Sequence, residues 1–308
     1  MREATTRYRS FVADNARWEG FPFRDGDIVL SIPAKCGTTW TQMICALLVF
    51  QTPDFERPLT EISPWLDMLT ADRDQVVTAL EAQPHRRFIK THTPLDGLPL
   101  DDRVTYVCVG RDPRDVGFSW SHHIVNLDMD AFLTARRTAV GAEDFDEQLP
   151  DGPPEPPPTE IERFWQWIDD PKPAGESPTS LVNLFHHIRT FWPATTGAHH
   201  LVLLHYDDLK TDLEGQMRHL AQRLGIDVAE RRWPELVAAA RFDEMRRRAD
   251  YLAPNQNDAV WHDNAEFFHR GTSGQWRTQL TEDDLRRYHV RIAKLNDPDV
   301  ARWLHQDR

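Results

Sequence analysis

Lys35-Cys36-Gly37-Thr38-Thr39 joins the apolar, β-branched run at 27–32 to the helix-like run at 39–50. At such a junction a glycine with hydroxyl neighbours leaves backbone N–H groups free to converge on an anion, and the helix N-terminus adds partial positive charge. That chemistry suits a phosphate. The usual nucleoside-triphosphate loop requires Gly-Lys-[Ser/Thr], but this chain has no Gly-Lys dipeptide, and here the lysine precedes the glycine. An ordinary P-loop kinase is therefore disfavoured.

Lys90-Thr91-His92-Thr93-Pro94 is the second chemically suggestive segment. His92 follows the strand-like Phe88-Ile89-Lys90 and precedes a proline, which puts it at the carboxyl end of a strand. With an intrinsic pKa of ~6.5, a histidine there is neutral at working pH and takes a proton from a hydroxyl. The chain contains five lysines against 31 arginines, and two of the five, Lys35 and Lys90, lie in these segments. An ammonium places one compact charge on a single oxygen, a task the planar guanidinium does not share. His122 and His123 are adjacent on a predicted helix and do not face each other, so a surface or acceptor-pocket role suits them better than a metal site.

The elements that must position these groups follow from the pattern. Strand-like runs at 27–32, 103–109 and 201–206 each lead through a short loop into a helix. Asp112 is the expected N-cap and Pro113 the first residue of the second helix, while the third reaches about Leu224 and stops at Gly225. Repeated strand-turn-helix units predict an α/β fold: one domain over 1–308, with a central parallel sheet flanked by helices and a P-loop-like strand-loop-helix. Ligands of such sheets bind at the carboxyl ends of the strands. The stretch 138–162 has eight acidic residues, no Lys or Arg, and the run Pro153-Pro154-Glu155-Pro156-Pro157-Pro158. It is expected to be a flexible excursion from the domain, either a lid or an insertion loop.

Composition sets outer limits. With 40% apolar and 28% charged residues, 11 Trp and 15 Phe among 308 residues, the chain is expected to be globular and soluble. The longest apolar run, Met43 to Phe50, is far short of the ~20 residues that span a bilayer, and the polar first twenty residues lack a signal-peptide core. A cytoplasmic location is expected. Cys36, Cys45 and Cys108 form no C-x-x-C pair and no even set, which fits a reducing compartment. The net charge of −13 argues against broad capture of nucleic acid or anionic membrane, so an anionic ligand needs a local basic pocket.

Lys35-Cys36-Gly37-Thr38-Thr39-Trp40 closely resembles the P-K-S-G-T-T-W loop of the cytosolic-type sulfotransferases, which take a sulfuryl group from 3′-phosphoadenosine 5′-phosphosulfate (PAPS) and release adenosine 3′,5′-bisphosphate (PAP). Five more segments are similar to that family's motifs in the family's order: Lys90-Thr91-His92; Arg111-Asp112-Pro113 through Ser119; Tyr206-Asp207-Asp208-Leu209-Lys210; Phe242 through Met245; and Arg270-Gly271 through Trp276. The likeness spans about residues 20 to 290 and is strongest to actinobacterial members, some of which sulfate glycolipids. Cys36 stands at the usual serine, His269 at a usual arginine and Gln275 at a common acidic residue. No K-T-V-type dimer motif occurs near 260–268, so no oligomeric state is assigned.

The resemblance implies His92 as the base on an acceptor hydroxyl, Lys35 at the leaving oxygen and Lys90 at the transferred group. It implies Arg111, Ser119, Arg270 and Gly271 at the 3′-phosphate, and the loop Lys35, Cys36, Gly37, Thr38 and Thr39 at the 5′-phosphate. Trp40 and Phe242 would sandwich the adenine beside Tyr206 and Met245, with Phe23 and Trp65 touching the acceptor. That acceptor is a small-molecule alcohol or phenol, or a glycolipid, and no metal, nucleic acid or membrane span is implied. A metal-dependent nucleotide kinase with a degenerate loop and a non-catalytic nucleotide-binding protein are the alternatives; the first requires magnesium, and the second needs no base.

Overall fold

The computed structural model describes residues 1–144, 155–253, 260–268 and 271–306. Its centre is a sheet of four strands: β1 (Ile28–Ser31), β2 (Phe88–Thr91), β3 (Thr105–Gly110) and β4 (Leu201–His205). Every pairing is parallel, in the order β2-β1-β3-β4. The strands are short, apolar and almost wholly buried, as expected of a parallel sheet covered by helices. Those introduced here are α1 (Thr38–Phe50), α2 (Pro113–Asn126), α3 (Met129–Val140), α4 (Glu160–Asp169), α5 (Leu181–Phe191), α6 (Tyr206–Thr211) and α7 (Leu213–Leu224).

Strand order decides where a ligand can sit. The chain lays β2 on one side of β1, then crosses back to lay β3 on the other, so the order reverses at β1 and a crevice opens beyond its carboxyl end. Ser31 pairs with Thr91 and Gly110 with His205, so the loops after all four strands open on the same edge. Asp112 caps α2 by accepting from the Arg114 N–H at 2.9 Å, with Pro113 in its first turn.

Two expectations are corrected. The strand expected over 201–206 ends at His205, and the one helix expected after it, to about Leu224, is two: α6 begins at Tyr206, and the Asp212 carboxylate accepts the Gly215 N–H at 2.9 Å and restarts the chain as α7, which Gly225 ends at φ +63°. The excursion expected at 138–162 is narrower: 138–140 form the last turn of α3, and Thr159 with Glu162 makes a capping box at the start of α4. Asp144 is held by Arg9 and, at 2.7 Å, by Arg136; residues 145–154 lie outside the described residues.

Beneath the sheet's amino ends, Arg87 makes a bidentate pair with Asp27, Nε to Oδ1 at 2.9 Å, with both side chains fully buried. The pair joins the residues just before β2 and β1. Breaking a buried pair leaves one uncompensated charge in the interior. Arg87→Ala is expected to cost about 3–5 kcal/mol of stability, read by urea denaturation, with Asp27→Asn/Arg87→Met recovering part of the loss.

Candidate active site

At the carboxyl edge of the sheet lies a cavity of about 970 Å³, bordered by the loops after all four strands. Lys35 and Gly37, after β1, both take positive φ, +66° and +100°. A Cβ on Gly37 would stand 3.1 Å from the Tyr206 ring, so this turn requires glycine for space as well as for conformation. Among the described residues no side chain caps the N-terminus of α1, and Thr38 Oγ1, buried beside it, has no hydrogen-bond partner. These groups, with Thr39, line the cavity as a site ready for an anion. Cys36 does not: its N–H is spent on the Pro33 carbonyl at 3.2 Å, and its thiol, pushed up to about 12 by burial, packs into the core. It is removed from the expected ligand set.

After β3, Arg111 lies across the crevice. Its Nη1 donates to the Lys35 carbonyl and its Nη2 to the Thr272 carbonyl, both at 3.0 Å, and the guanidinium stacks 4.3 Å from the Tyr206 ring centroid. Its Nε is buried without a partner among the described residues. Asp115 secures the far wall by accepting the Gly274 and Gln275 N–H groups at 2.7 and 3.1 Å. Gly271 lines the cavity against Phe242, and Arg270 lies outside the described residues. Ser119, Tyr206 and Met245 border the same space. Trp40 is fixed by its indole N–H to the Ala240 carbonyl at 2.8 Å; it and Phe242 both line the cavity, and no ring contact joins them among the described residues.

After β2, His92 Nδ1 lies 2.6 Å from the Ile32 carbonyl. A carbonyl only accepts, so Nδ1 carries the hydrogen and Nε2 keeps a lone pair. Burial, then the Lys90 charge, pushes the imidazole down to about 3, well below the ordinary histidine value that the sequence suggested. His92 is therefore neutral across the working range. Lys90 places its ammonium 4.3 Å from the Trp65 ring centroid, and Trp65 also meets His92 edge-on at 4.6 Å. Burial lowers Lys90 to about 8, opposed by Asp67, and lowers Lys35 to about 7, helped by Arg111 and then Lys90. Phe23 is a correction: it is buried with Trp18 and Phe21 in an aromatic cluster and does not border the cavity.

One residue and one contact escaped sequence reasoning, the residue being Asp67 and the contact that of His123, expected only at the surface or in the acceptor pocket, with Lys35. Asp67 Oδ2 accepts from the Thr91 and Thr93 hydroxyls, both at 2.7 Å, and so grips the residues on either side of His92. No spacing signal marks a lone aspartate 24 residues before its partner. His123, noted only as half of a histidine pair, has its Nδ1 3.1 Å from Lys35 Nζ, while His122 turns to Glu266.

A sequence model of the sulfotransferase domain matches residues 25–300. The chain belongs to the sulfotransferase family. Accordingly, it is an enzyme of sulfuryl transfer. A glycolipid sulfotransferase of Mycobacterium bovis (strain BCG / Pasteur 1173P2) is 42% identical, the match covering 98% of this chain and 94% of that one. Sulfotransferase 1A1 of Canis lupus familiaris is 26% identical over 90% of this chain and 85% of its own length. The fold is similar to that of a mouse sulfotransferase complexed with PAP, at 19% identity and a TM-score of 0.67, covering 94% of this chain and 91% of that chain.

Removing the grip of Asp67 tests how the sulfotransferase holds its histidine. Asp67→Ala strands two buried hydroxyls, at about 1–3 kcal/mol for each group left unsatisfied. Denaturation should register that loss and kcat should fall, with Asp67→Asn intermediate because one acceptor oxygen remains.

Proposed function

We propose that this sulfotransferase uses PAPS as donor, releases PAP and sulfates a hydroxyl of a glycolipid. The observation that carries the reading is the meeting, in one crevice, of two lysines, an imidazole with a defined acceptor nitrogen and a helix N-terminus without a side-chain cap. Buried Arg111 Nε and Thr38 Oγ1 have no partner among the described residues and suit the phosphates of such a donor.

In this reading His92 Nε2 takes the proton of the acceptor hydroxyl as that oxygen bonds to sulfur. Lys35 meets the charge left on the 5′-phosphate oxygen as the old sulfur–oxygen bond breaks, and Lys90 lies by the equatorial oxygens. The backbone from Gly37 to Thr39 receives the 5′-phosphate. Arg111, Ser119, Arg270 and Gly271 receive the 3′-phosphate, with Trp40 and Phe242 on the two faces of the base beside Tyr206 and Met245. The transferred group carries less charge than a phosphoryl group, so positioning and charge stabilisation suffice without a metal.

The acceptor class is supported by the two characters of the cavity wall. Phe11, Met68, Met129, Phe132 and Trp261 make an apolar side, and most of them belong to a small cluster separate from the main core. Gln166, Asp170 and Glu176 make a side rich in oxygen acceptors. An amphiphile with a sugar headgroup fits both, and the mycobacterial relatives bear the name glycolipid sulfotransferase. Trp65, between His92 and Lys90, stands where the two sides meet the reacting groups.

Calorimetry with PAP and AMP tests the donor. PAP should bind far more tightly, since charge-assisted contacts to the extra phosphate are worth roughly 1.5–3 kcal/mol each; equal affinities would remove PAPS from the proposal. His92→Ala should lower kcat about 10² to 10⁴-fold with PAP affinity nearly unchanged. In the wild type, kcat/KM should show no acid limb near the ordinary histidine pKa of ~6.5, because the free imidazole is already held neutral. Phe132→Ser should raise KM for a lipid-linked acceptor and leave KM for PAPS alone; a change confined to PAPS would move the acceptor elsewhere.

A further inference from the structure

His123, on α2, has no part in the mechanism above, yet its Nδ1 contacts Lys35 Nζ at 3.1 Å. The imidazole is packed among aromatic rings, with centroids 4.6 Å away at Trp261, 5.5 Å at Trp120 and 5.9 Å at Phe267. Phe267 also stands 5.1 Å, centroid to nitrogen, from the Lys35 ammonium. A ring so enclosed has little room to turn. An ammonium has no lone pair, so Lys35 donates in this contact and His123 must present a bare Nδ1 and keep its hydrogen on Nε2.

Lys35 lacks any other obvious anchor. Among the described residues no carboxylate lies within ion-pair distance of its Nζ, and the guanidinium of Arg111 is bound to its carbonyl. A four-carbon stem bearing three rotatable donors would otherwise sample many directions.

We propose that His123 is a positioning residue: in the donor-free enzyme its Nδ1 holds Lys35 Nζ in the ammonium form within the crevice, and yields it to the anionic leaving group when the donor binds. This rests on the role given to Lys35 above. The contact has a pH signature. Arg111 and Lys90 face Lys35 and, after burial, push it down to about 7, while the Cys36 thiol beside it stays neutral at about 12. Around His123 stand Lys35, Lys90, His92 and His122, the last paired with Glu266; burial and these neighbours hold His123 far below the usual histidine range, so it is a neutral acceptor. A neutral acceptor favours the ammonium over the amine. Its loss must lower the Lys35 pKa further.

Lys35 can be titrated without any turnover, by labelling amines with acetic anhydride at a series of pH values and reading the Lys35 peptide by mass spectrometry. His123→Phe keeps a ring and loses the acceptor. It should lower the Lys35 midpoint by about half a pH unit or more, move the alkaline limb of kcat/KM down with it and reduce kcat about tenfold. His123→Asn, whose Oδ1 stands near the place of Nδ1, should return both midpoint and limb toward the wild type; His123→Leu serves if the Phe variant does not fold. Identical Lys35 midpoints in wild type and the acceptor-less variant would overturn the inference, as would failure of Asn to restore them. PAP calorimetry on the same proteins judges the donor reading separately, because loss of PAP binding by the wild type would leave the Lys35 titration interpretable.

Discussion

Lys35, Lys90 and Arg111 crowd one crevice at the carboxyl edge of the sheet, and among the described residues no carboxylate stands within ion-pair distance of any of them. Desolvated cations without counter-charges raise the free energy of the folded chain. Most of the surrounding architecture can be understood as holding them there regardless: Arg111 is stretched between two carbonyls and a tyrosine ring, Lys90 lies on an indole face, and Lys35 rests against an imidazole and a phenyl ring. Carbonyl oxygens and ring faces stabilise a cation without cancelling its charge. An anion entering this space supplies countercharge, which favours the ammonium form of both lysines.

The chain's surplus of acid makes the pattern more pointed. Asp67 and Asp115, both buried near the site, engage neutral donors: Asp67 the hydroxyls of Thr91 and Thr93, Asp115 the amides of Gly274 and Gln275. Burial raises the pKa of both, opposed at Asp67 by the Thr91 and Thr93 hydroxyls and at Asp115 by the Arg111 charge and then the Gly274 amide. They align His92 and the 271–275 segment from beyond ion-pair distance of Lys90 and Arg111, whose charges they still feel. Among the described residues, buried Asp27 forms a full ion pair with Arg87 at the opposite end of the strands, where it serves the sheet, and buried Asp112 forms one with Arg114 in the first turn of α2.

Topology turns these local arrangements into a single site. Because strand order reverses at β1, the loop of Lys35 lies between the His92 segment and the Arg111 turn, and β4 adds Tyr206 as the surface on which Arg111 stacks. The same edge opens toward a second apolar cluster formed in part by the N-terminal segment, where Arg136 Nε donates to the Phe11 carbonyl at 2.7 Å. The loop of Lys35 and an apolar wall thus border one cavity while resting on different packing units.

Features governed by neighbours along the chain were legible in the sequence. The strand-loop-helix at Lys35, the Asp112 cap with Pro113, the stop at Gly225 and the parallel α/β class all depend on backbone preferences and short-range patterning, which a linear string carries in full. The linear string misled where burial or distant partners decide. Phe23 reads as an aromatic near a cleft, but its ring is taken by Trp18 and Phe21; Cys36 reads as part of the loop, but the turn consumes its amide. His92 was legible as a histidine at a strand end, whereas its tautomer required the Ile32 carbonyl in place, and its displacement to about 3 required burial and then the neighbouring lysine. Asp67 and His123 gained their roles only through contacts across 24 and 88 residues. Local backbone geometry is a property of a few consecutive residues; desolvation and cross-chain hydrogen bonding belong to the packed whole, and in this protein they determine which side chains carry charge.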